Sequence, residues 1–296
     1  MAGSEKKGPS YVGSLHRELV RPRSNEKQIR LMIVDWFVHH KRFGRFKRLF
    51  DVPAPELRSL ESFPRLLHFY WDQGLEAAPE VVRECLESWR AFNPTWTINV
   101  WDAESANRVV DRAALPKGLK TTPYSDIFRT CLLDDLGGVW IDATVMCKQP
   151  LDNWLLFVMA QCDFFAFRRP GPDREISSWF LVSRPGGRII RELRKIVMGY
   201  WRRQVCPTRV YHWYHYLFEY LVRTSPSFRR EWGKTPQLSA VPLILLQAHV
   251  ANGTQPEDWE IDLFNAVPMH KLTYKRQQNL DHLKRVLRDA GARDSG

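Results

Sequence analysis

Acidic, basic and hydroxyl side chains cluster between residues 124 and 144 of the chain. Asp126 and Arg129 are three residues apart, so on a helix they share a face and can form an ion pair. Asp142 ends a run of apolar residues, and a buried carboxylate is costly unless it is paired or binds a ligand. On a strand, Asp142 and Thr144 point to the same side. Their oxygens suit a ribose hydroxyl, or a hard cation that carries a diphosphate.

Each of these residues also has a plainer interpretation. Asp126 and Arg129 could form a local surface ion pair, which adds little stability. Their position just before Gly137-Gly138 and an apolar strand makes a polar site an equally good interpretation. Asp142, taken alone, is better explained as a turn or cap residue.

A second group of candidate residues lies far along the chain. His270 and Lys271 stand together in a short apolar context, where they could supply a metal ligand and a counter-charge for phosphate. A lone His-Lys pair is more often an ordinary surface feature. His212, His215 and Glu219 also have a helical spacing that can bind metal. Aromatic residues are interleaved with them, which favours a helix that packs or lines an acceptor cleft.

The elements that must position these residues are readable from periodicity and from proline and glycine. A strand, a helix and a second strand follow one another closely, which is a βαβ unit with parallel strands. Ligands of such sheets bind near the carboxyl ends of the strands. The predicted elements here are a strand at Arg65–Trp71, a helix at Pro79–Phe92, a strand at Thr95–Trp101, and a helix that begins at Thr122-Pro123 and ends at Gly137-Gly138.

The remainder of the chain continues the mixture of strands and helices. Further strands are predicted at Asp163–Phe167 and Trp179–Ser183, and helices at Gly187–Tyr200, Val210–Val222 and near Leu280–Arg288. The fold class is therefore α/β, with a sheet flanked by helices. We predict one domain over residues 63–296, preceded by a basic, amphipathic, helical extension over residues 1–62.

The composition limits the partners and the location. A net charge of +11 indicates an anionic partner, which could be nucleic acid, anionic lipid or a phosphorylated small molecule. No apolar run reaches the ~20 residues that span a bilayer, and the polar N-terminus is not a secretory signal. The five cysteines are scattered and odd in number, which indicates a reducing cytoplasm.

The segment from Lys27 to Phe50 concentrates positive charge and aromatic residues at roughly helical spacing. Such a helix suits the surface of an anionic membrane. It could equally pack on the catalytic domain with its lysines and arginines in solvent. Both interpretations stay open. The expected location is the cytoplasm, and the first interpretation adds peripheral contact with the inner face of the cell membrane.

The order of these motifs resembles a known family. The run PRLLHFYW at residues 64–71, a WD that ends a strand, YSDIFR at 124–129 and GGVWIDAT at 137–144 are similar to the capsular polysaccharide synthesis glycosyltransferases of the glycosyltransferase family 32 group. The resemblance is strong from Phe63 to Leu151. It implies a GT-A type, Rossmann-like mixed sheet. It also implies transfer of a sugar from a nucleotide-sugar, UDP-sugar being expected, to a glycan or lipid-linked acceptor in surface or capsular polysaccharide synthesis, with retention.

The resemblance also implies roles for individual residues. Asp142 matches the first Asp of the family's DxD motif, which binds ribose, sugar and a metal-bound diphosphate, and Thr144 stands at the second Asp. The implied catalytic residues are Asp142, Asp126 and Arg129. The implied nucleotide-sugar site comprises His68, Trp71, Asp126, Arg129, Gly138, Asp142 and Lys271.

Because Thr144 replaces a carboxylate, two ways of balancing the negative charge of the diphosphate stay open. Either Mn²⁺ or Mg²⁺ is held weakly by Asp142, Thr144 and His270, or Lys271 and nearby arginines neutralise the diphosphate. Two other function classes are also open. The chain could be a catalytically inactive membrane scaffold of this fold, or, less favoured, a basic nucleic-acid-binding protein. No nucleic acid is expected as a partner of the transferase.

Overall fold

The computed structural model describes residues 63–160, 162–171, 174–203, 210–275 and residue 283. Strands in these residues form a five-stranded sheet and a separate two-stranded sheet. In chain order they are β1 (Leu66–Tyr70), β2 (Thr97–Trp101), β3 (Gly138–Asp142), β4 (Val145–Cys147), β5 (Phe164–Gly171), β6 (Arg174–Ser183) and β7 (Met269–Lys271). The larger sheet has the order β2-β1-β3-β6-β5, and β4 pairs with β7.

The larger sheet is mixed, as the family resemblance implied. Strand β1 runs parallel to both β2 and β3, whereas β6 is antiparallel to β3 and β5. Tyr70 at the end of β1 is in register with Trp101 on one side and Asp142 on the other. The carboxyl ends of three parallel strands therefore meet at one edge of the sheet, which we call the carboxyl edge.

Helices cover both faces of the sheet. The described α-helices are α1 (Glu80–Phe92), α2 (Ala103–Asn107), α3 (Thr121–Asp135), α4 (Leu155–Met159), α5 (Arg188–Arg202), α6 (Trp213–Thr224), α7 (Pro226–Lys234), α8 (Val241–Ile244), α9 (Leu246–Asn252) and α10 (Asp258–Ala266). The predicted helices before residue 225 and the predicted strands are confirmed within a few residues at their ends. Strands β5 and β6 are longer than predicted, because backbone pairing continues past the apolar residues, from Arg168 with Ile176 to Gly171 with Arg174.

Alternation of side chains along the strands builds a core on each face of the sheet. Leu67 and Ile141 point to the face covered by α1 and by the β4–β7 pair. Tyr70 and Trp140 point to the opposite face, where they contact Phe128 of α3 at ring distances of 5.4 and 5.8 Å. Burial of an aromatic ring of this size contributes about 2–3 kcal/mol. The helix that carries Asp126 and Arg129 is thus fixed against the strand that carries Asp142.

Two glycines make the tight connection from α3 to β3. Gly137 and Gly138 have φ angles of 67° and 90°, a region that favours glycine. A Cβ on Gly138 would lie 2.6 Å from the backbone oxygen of Leu66 in β1. The glycine pair therefore permits β3 to pack closely against β1.

The small β4–β7 sheet joins distant parts of the chain. Val145 pairs with Lys271 in an antiparallel ladder just after β3 ends. The backbone N–H of Leu272 also donates a hydrogen bond of 2.7 Å to the backbone oxygen of Thr144. This pairing brings His270 and Lys271 next to the carboxyl edge.

Some predictions concern residues outside the described ranges. The N-terminal extension over residues 1–62 lies there, as does the final basic helix near Leu280–Arg288 apart from residue 283. Among the described helices, none has the length and apolar character needed to cross a membrane. The four described cysteines, Cys85, Cys131, Cys147 and Cys162, are buried free thiols.

Candidate active site

Arg129 is the centre of a charged network at the carboxyl edge. Its Nη2 atom lies 3.3 Å from Asp126 Oδ1 and 3.2 Å from Asp142 Oδ1. Its Nε donates to the backbone oxygen of Ser125 at 3.1 Å, and its Nη1 donates to the backbone oxygen of Ser178 in β6. The arginine is 3% exposed, so it ties together a helix and two strands from inside the protein.

The local sequence explains this arrangement. Ser125, Asp126 and Arg129 share a face of α3, and Asp142 shares a face of β3 with Trp140. The Trp140 indole Nε1 donates a 3.0 Å hydrogen bond to Asp142 Oδ1, and the Arg129 guanidinium carbon lies 4.8 Å from the Trp140 ring centroid. The contacts of Asp142 use Oδ1, so Oδ2 is left for a ligand. The carboxylate is therefore held in a fixed orientation.

The two carboxylates of this network differ in their surroundings. Burial raises the pKa of Asp126 to about 6, and the neighbouring Arg129 opposes that rise. The Asp126 side chain is 11% exposed, whereas that of Asp142 is 30% exposed. Asp142 is thus the carboxylate that a ligand at the edge would reach. Asp126 balances the charge of Arg129 from the more buried side.

Lys271 and Thr144 form a second polar contact at the same edge. Lys271 Nζ donates to Thr144 Oγ1 at 2.6 Å and to the backbone oxygen of Leu272 at 2.8 Å. Burial lowers the pKa of the Lys271 ammonium, and the nearby Asp142 carboxylate opposes that shift. Among the described residues, no carboxylate lies within 4 Å of this half-buried ammonium.

His270 lies apart from this contact. It alternates with Lys271 along β7, so the two side chains point to opposite sides of the strand. Its Nε2 lies 3.1 Å from the backbone oxygen of Phe264, and its ring is 5.6 Å from the Phe264 ring. Burial lowers the pKa of His270 to about 3.

The groups predicted to hold Mn²⁺ or Mg²⁺ do not fit such an ion in this arrangement. Mg²⁺ takes about six oxygen ligands, and carboxylates supply the negative charge. Asp142 shares its Oδ1 with Arg129, Thr144 Oγ1 accepts from an ammonium, and His270 points elsewhere. The residues that the structure describes contain no group of three His, Cys, Asp or Glu side chains around one point.

Two other predicted site residues lie inside the sheet. His68 is buried, with Nδ1 accepting from Trp101 Nε1 at 3.3 Å and Nε2 facing the backbone oxygen of Gly137 at 2.9 Å. Burial lowers its pKa to about 4, so the ring is neutral and carries its proton on Nε2. Gly138 begins β3, about 13 Å along the strand from Asp142. The structure does not bring these residues to Asp142, and their predicted role in binding nucleotide-sugar stays a prediction.

Trp71 directly follows β1 at the carboxyl edge. Its ring meets that of Tyr274 edge-on at 5.1 Å, and Tyr274 is 47% exposed. The fold therefore places three groups at the carboxyl edge: the charged network around Arg129, the lysine Lys271, and the aromatic pair of Trp71 and Tyr274. The predicted residues gathered here are Trp71, Asp126, Arg129, Asp142, Thr144 and Lys271.

A cluster at the end of β1 escaped the sequence analysis. Asp72 accepts hydrogen bonds from Tyr70 and Arg112, and from Thr121 Oγ1 at 3.1 Å. Arg112 also stacks on Tyr124, with its guanidinium carbon 3.9 Å from the ring centroid. The available signal was the position of Asp72 two residues after the end of a buried parallel strand, close to the carboxyl edge where Asp142 also lies.

Comparison of the whole sequence with protein families assigns this chain. Residues 40–287 match the family described as capsular polysaccharide synthesis protein. The chain belongs to the capsular polysaccharide synthesis protein family. The family predicted from the motifs around Asp126 and Asp142 is thereby confirmed. No curated protein sequence matches this family member.

Several solved structures similar to this family member are glycosyltransferases. One is the PaToxG glycosyltransferase, with 12% identity, a TM-score of 0.40, and 78% of this chain and 95% of that chain covered. A second takes part in glycosylation of the major capsid of PBCV-1, with 10% identity, a TM-score of 0.41, and 76% and 100% covered. A third is the galactosyltransferase LgtC in complex with donor and acceptor sugar analogs, with 12% identity, a TM-score of 0.41, and 77% and 95% covered.

Proposed function

We propose that this family member is a glycosyltransferase that moves a sugar from a nucleotide-sugar to a glycan or lipid-linked acceptor. The observation that carries the proposal is the Asp126–Arg129–Asp142 network at the carboxyl edge, with Lys271 beside it. Ligands of parallel sheets bind at this edge. Membership of a capsular polysaccharide synthesis family supports a sugar as the transferred group.

Asp142 has the orientation needed to bind hydroxyl groups of the donor. With Oδ1 held by Arg129 and Trp140, its Oδ2 can accept a hydrogen bond from a sugar or ribose hydroxyl. The buried Arg129 contacts both Asp142 and Asp126, so the arginine charge is balanced within the protein. Trp71 and Tyr274 supply an aromatic surface on which a base or sugar ring can stack.

The transfer reaction needs negative charge to be stabilised on the departing group. The bond between the anomeric carbon and the diphosphate oxygen breaks, and the diphosphate keeps the electron pair. An acceptor hydroxyl oxygen then bonds to the same carbon from the same face, and its proton passes to the departing diphosphate. We propose this front-face course, with retention, because the carboxylates of Asp72, Asp126 and Asp142 at this edge are each already paired with an arginine. Fixed positive groups lower such a barrier electrostatically.

The donor is expected to be a UDP-sugar, which sets the first experiment. The full chain is incubated with a panel of UDP-sugars, and release of UDP is measured with and without candidate acceptors. Asp142→Asn and Asp126→Asn should each reduce UDP release at least 100-fold. Asp142→Asn weakens the contact with the ligand, and Asp126→Asn removes part of the negative charge that balances Arg129.

Asp134→Asn is the matched control for these variants. Asp134 is another shielded carboxylate on α3, and it pairs with Arg194 at 3.0 Å near the opposite end of the helix. Its variant should keep turnover within about 3-fold of the parent protein. Full activity in both site variants would refute the site assignment. Absence of turnover with every donor would favour the inactive scaffold instead.

The location proposed for this enzyme is the cytoplasm, with the basic segment at residues 27–50 in contact with an anionic membrane. The net charge of +11 supports an anionic partner. Co-sedimentation with vesicles containing anionic lipid should fall at least 5-fold when residues 1–62 are deleted. Unchanged co-sedimentation would refute the membrane role of this segment.

A further inference from the structure

We infer that Lys271, seated on Thr144, supplies the positive charge that binds the donor's diphosphate, so that this protein binds a nucleoside diphosphate without a divalent cation. The inference rests on the proposed function, whose site it deepens. It follows from which charges at the carboxyl edge are already paired and which are still available.

The acidic charge at this edge is already balanced. Asp142 and Asp126 both contact Arg129, at 3.2 and 3.3 Å. A divalent cation needs uncompensated carboxylates, and here the guanidinium occupies the space between the two that are present. A cation near Asp142 would also meet the ammonium of Lys271, whose charge already acts on that carboxylate. The electrostatics of the edge therefore disfavour a dication.

The charge of Lys271 is still available for an anion. Both of its direct contacts are to neutral oxygens, Thr144 Oγ1 at 2.6 Å and the Leu272 carbonyl at 2.8 Å. An ammonium has three N–H donors, so one donor stays available for a phosphate oxygen. The side chain is half-buried at the carboxyl edge, which strengthens a charge-assisted hydrogen bond to an anion.

Thr144 has a definite role in this arrangement. An aspartate at this position would form an ion pair with Lys271 and consume its charge. The threonine hydroxyl orients the ammonium without neutralising it, while its backbone oxygen holds β7 through Leu272 at 2.7 Å. Thr144 is therefore a positioning residue for Lys271. Because a carboxylate at position 144 would neutralise the lysine, the threonine is what keeps the Lys271 charge available.

The experiment measures binding of UDP, GDP and uridine to the full chain by calorimetry, in EDTA and in MnCl₂. Two nucleotides are used because the nucleobase is not fixed by the diphosphate site. The parent protein should bind a diphosphate in EDTA within about 3-fold of its affinity in Mn²⁺, and more tightly than uridine. Lys271→Met should weaken binding in EDTA at least 10-fold and leave uridine unchanged.

Two further variants test the geometry. Lys195→Met removes an exposed lysine from α5 and should leave all affinities unchanged. Thr144→Asp should weaken binding in EDTA at least 10-fold and make Mn²⁺ restore it, since the new carboxylate pairs with Lys271 or binds the cation. If the Thr144–Lys271 contact were purely structural, Mn²⁺ would not restore the diphosphate affinity of Thr144→Asp.

The outcomes separate this inference from the proposed function. Diphosphate binding that requires Mn²⁺ in the parent protein would overturn the inference, and so would normal binding by Lys271→Met in EDTA. Sugar transfer alongside either result would leave the proposed function intact. Cation-free binding through Lys271 without turnover of any donor would uphold the inference and refute the transferase. If Lys271→Met fails to fold, the parent protein in EDTA and in Mn²⁺ decides the matter.

Discussion

The carboxyl edge of this protein contains two polar units that are built in different ways. The first, Asp126–Arg129–Asp142, comes from one helix and the strand that follows it, within 17 consecutive residues. The second, Thr144–Lys271, joins residues 127 apart in sequence. The first unit satisfies its own charges internally, and the second presents a charge that has no carboxylate in direct contact. A rigid, neutral unit suits positioning, and an unpaired cation suits binding an anion.

The strongest test of this comparison removes the centre of the first unit. Arg129→Met leaves the shielded Asp126 and the partly exposed Asp142 without their cation and should lower the free energy of unfolding by about 3–5 kcal/mol. Urea denaturation monitored by tryptophan fluorescence measures the loss. Arg108→Met, which breaks an exposed pair with Glu104, should cost less than about 1 kcal/mol. Equal losses in the two variants would show that the first unit is not a buried structural network.

A second test concerns His68, which supports the turn that leads into β3. The pKa of His68 is about 4 in the folded protein and about 6.5 when unfolded. Between these pH values the unfolded chain binds more protons, so stability rises with pH and is lost as pH falls towards 4. The parent protein should gain about 3 kcal/mol from this group across that range.

The measurement compares unfolding free energies of the parent protein and His68→Gln from pH 4 to pH 8. At pH 8 the ring is neutral in both states, so the difference there reports lost packing alone. The gap between the two proteins should shrink towards acid pH. A constant gap would indicate that His68 is not held as a neutral ring between Trp101 and the Gly137 carbonyl.

A third test addresses the glycine pair. Gly138→Ala places a Cβ against the Leu66 oxygen at a φ of 90°, and should cost about 2 kcal/mol. Gly199→Ala is the control, because its Cβ would meet nothing within 4 Å in α5. That variant should gain about 0.4–1 kcal/mol from reduced freedom of the unfolded chain. Thermal unfolding of both proteins measures the contrast, and equal shifts would refute the close approach of β3 to β1.

The smallest expected effect belongs to the second unit. Thr144→Val keeps the shape of the side chain and removes the hydroxyl that accepts from Lys271. Its cost should be about 1 kcal/mol, the usual net contribution of one hydrogen bond, because the ammonium still donates to the Leu272 carbonyl. A loss as large as that of Arg129→Met would mean that the second unit stabilises the fold as much as the first, and the comparison would fail.

The locally encoded features were readable from the sequence, and the βαβ unit is the best example. Its strands and helix were predicted within a few residues, because apolar periodicity, Pro79 and the Gly137-Gly138 turn are local signals. The face shared by Asp126 and Arg129 follows from helical spacing alone. The structure adds the ion pair between that face and Asp142, at 3.2 Å from Arg129.

The contacts across long separations were not readable in this way. The sequence offered His270 as a metal ligand and Lys271 as a counter-charge for phosphate at one site. Only the β4–β7 register directs Lys271 to Thr144 and His270 to Phe264. A shift of one residue in that register would exchange the two side chains. The cluster of Asp72 with Arg112 was missed for the same reason, since nothing local marks a partner 40 residues away.

The sequence by itself determined the family, the α/β fold class and the shared face of Asp126 and Arg129, because these depend on local motifs and on spacing within a strand or a helix. The tertiary structure decided what stands opposite Thr144. The identity of that partner depends on strand register between residues 145–147 and 269–271, and register is set by the packing of both faces of the fold. That packing placed an ammonium, and not an imidazole, beside the hydroxyl that replaces the second aspartate.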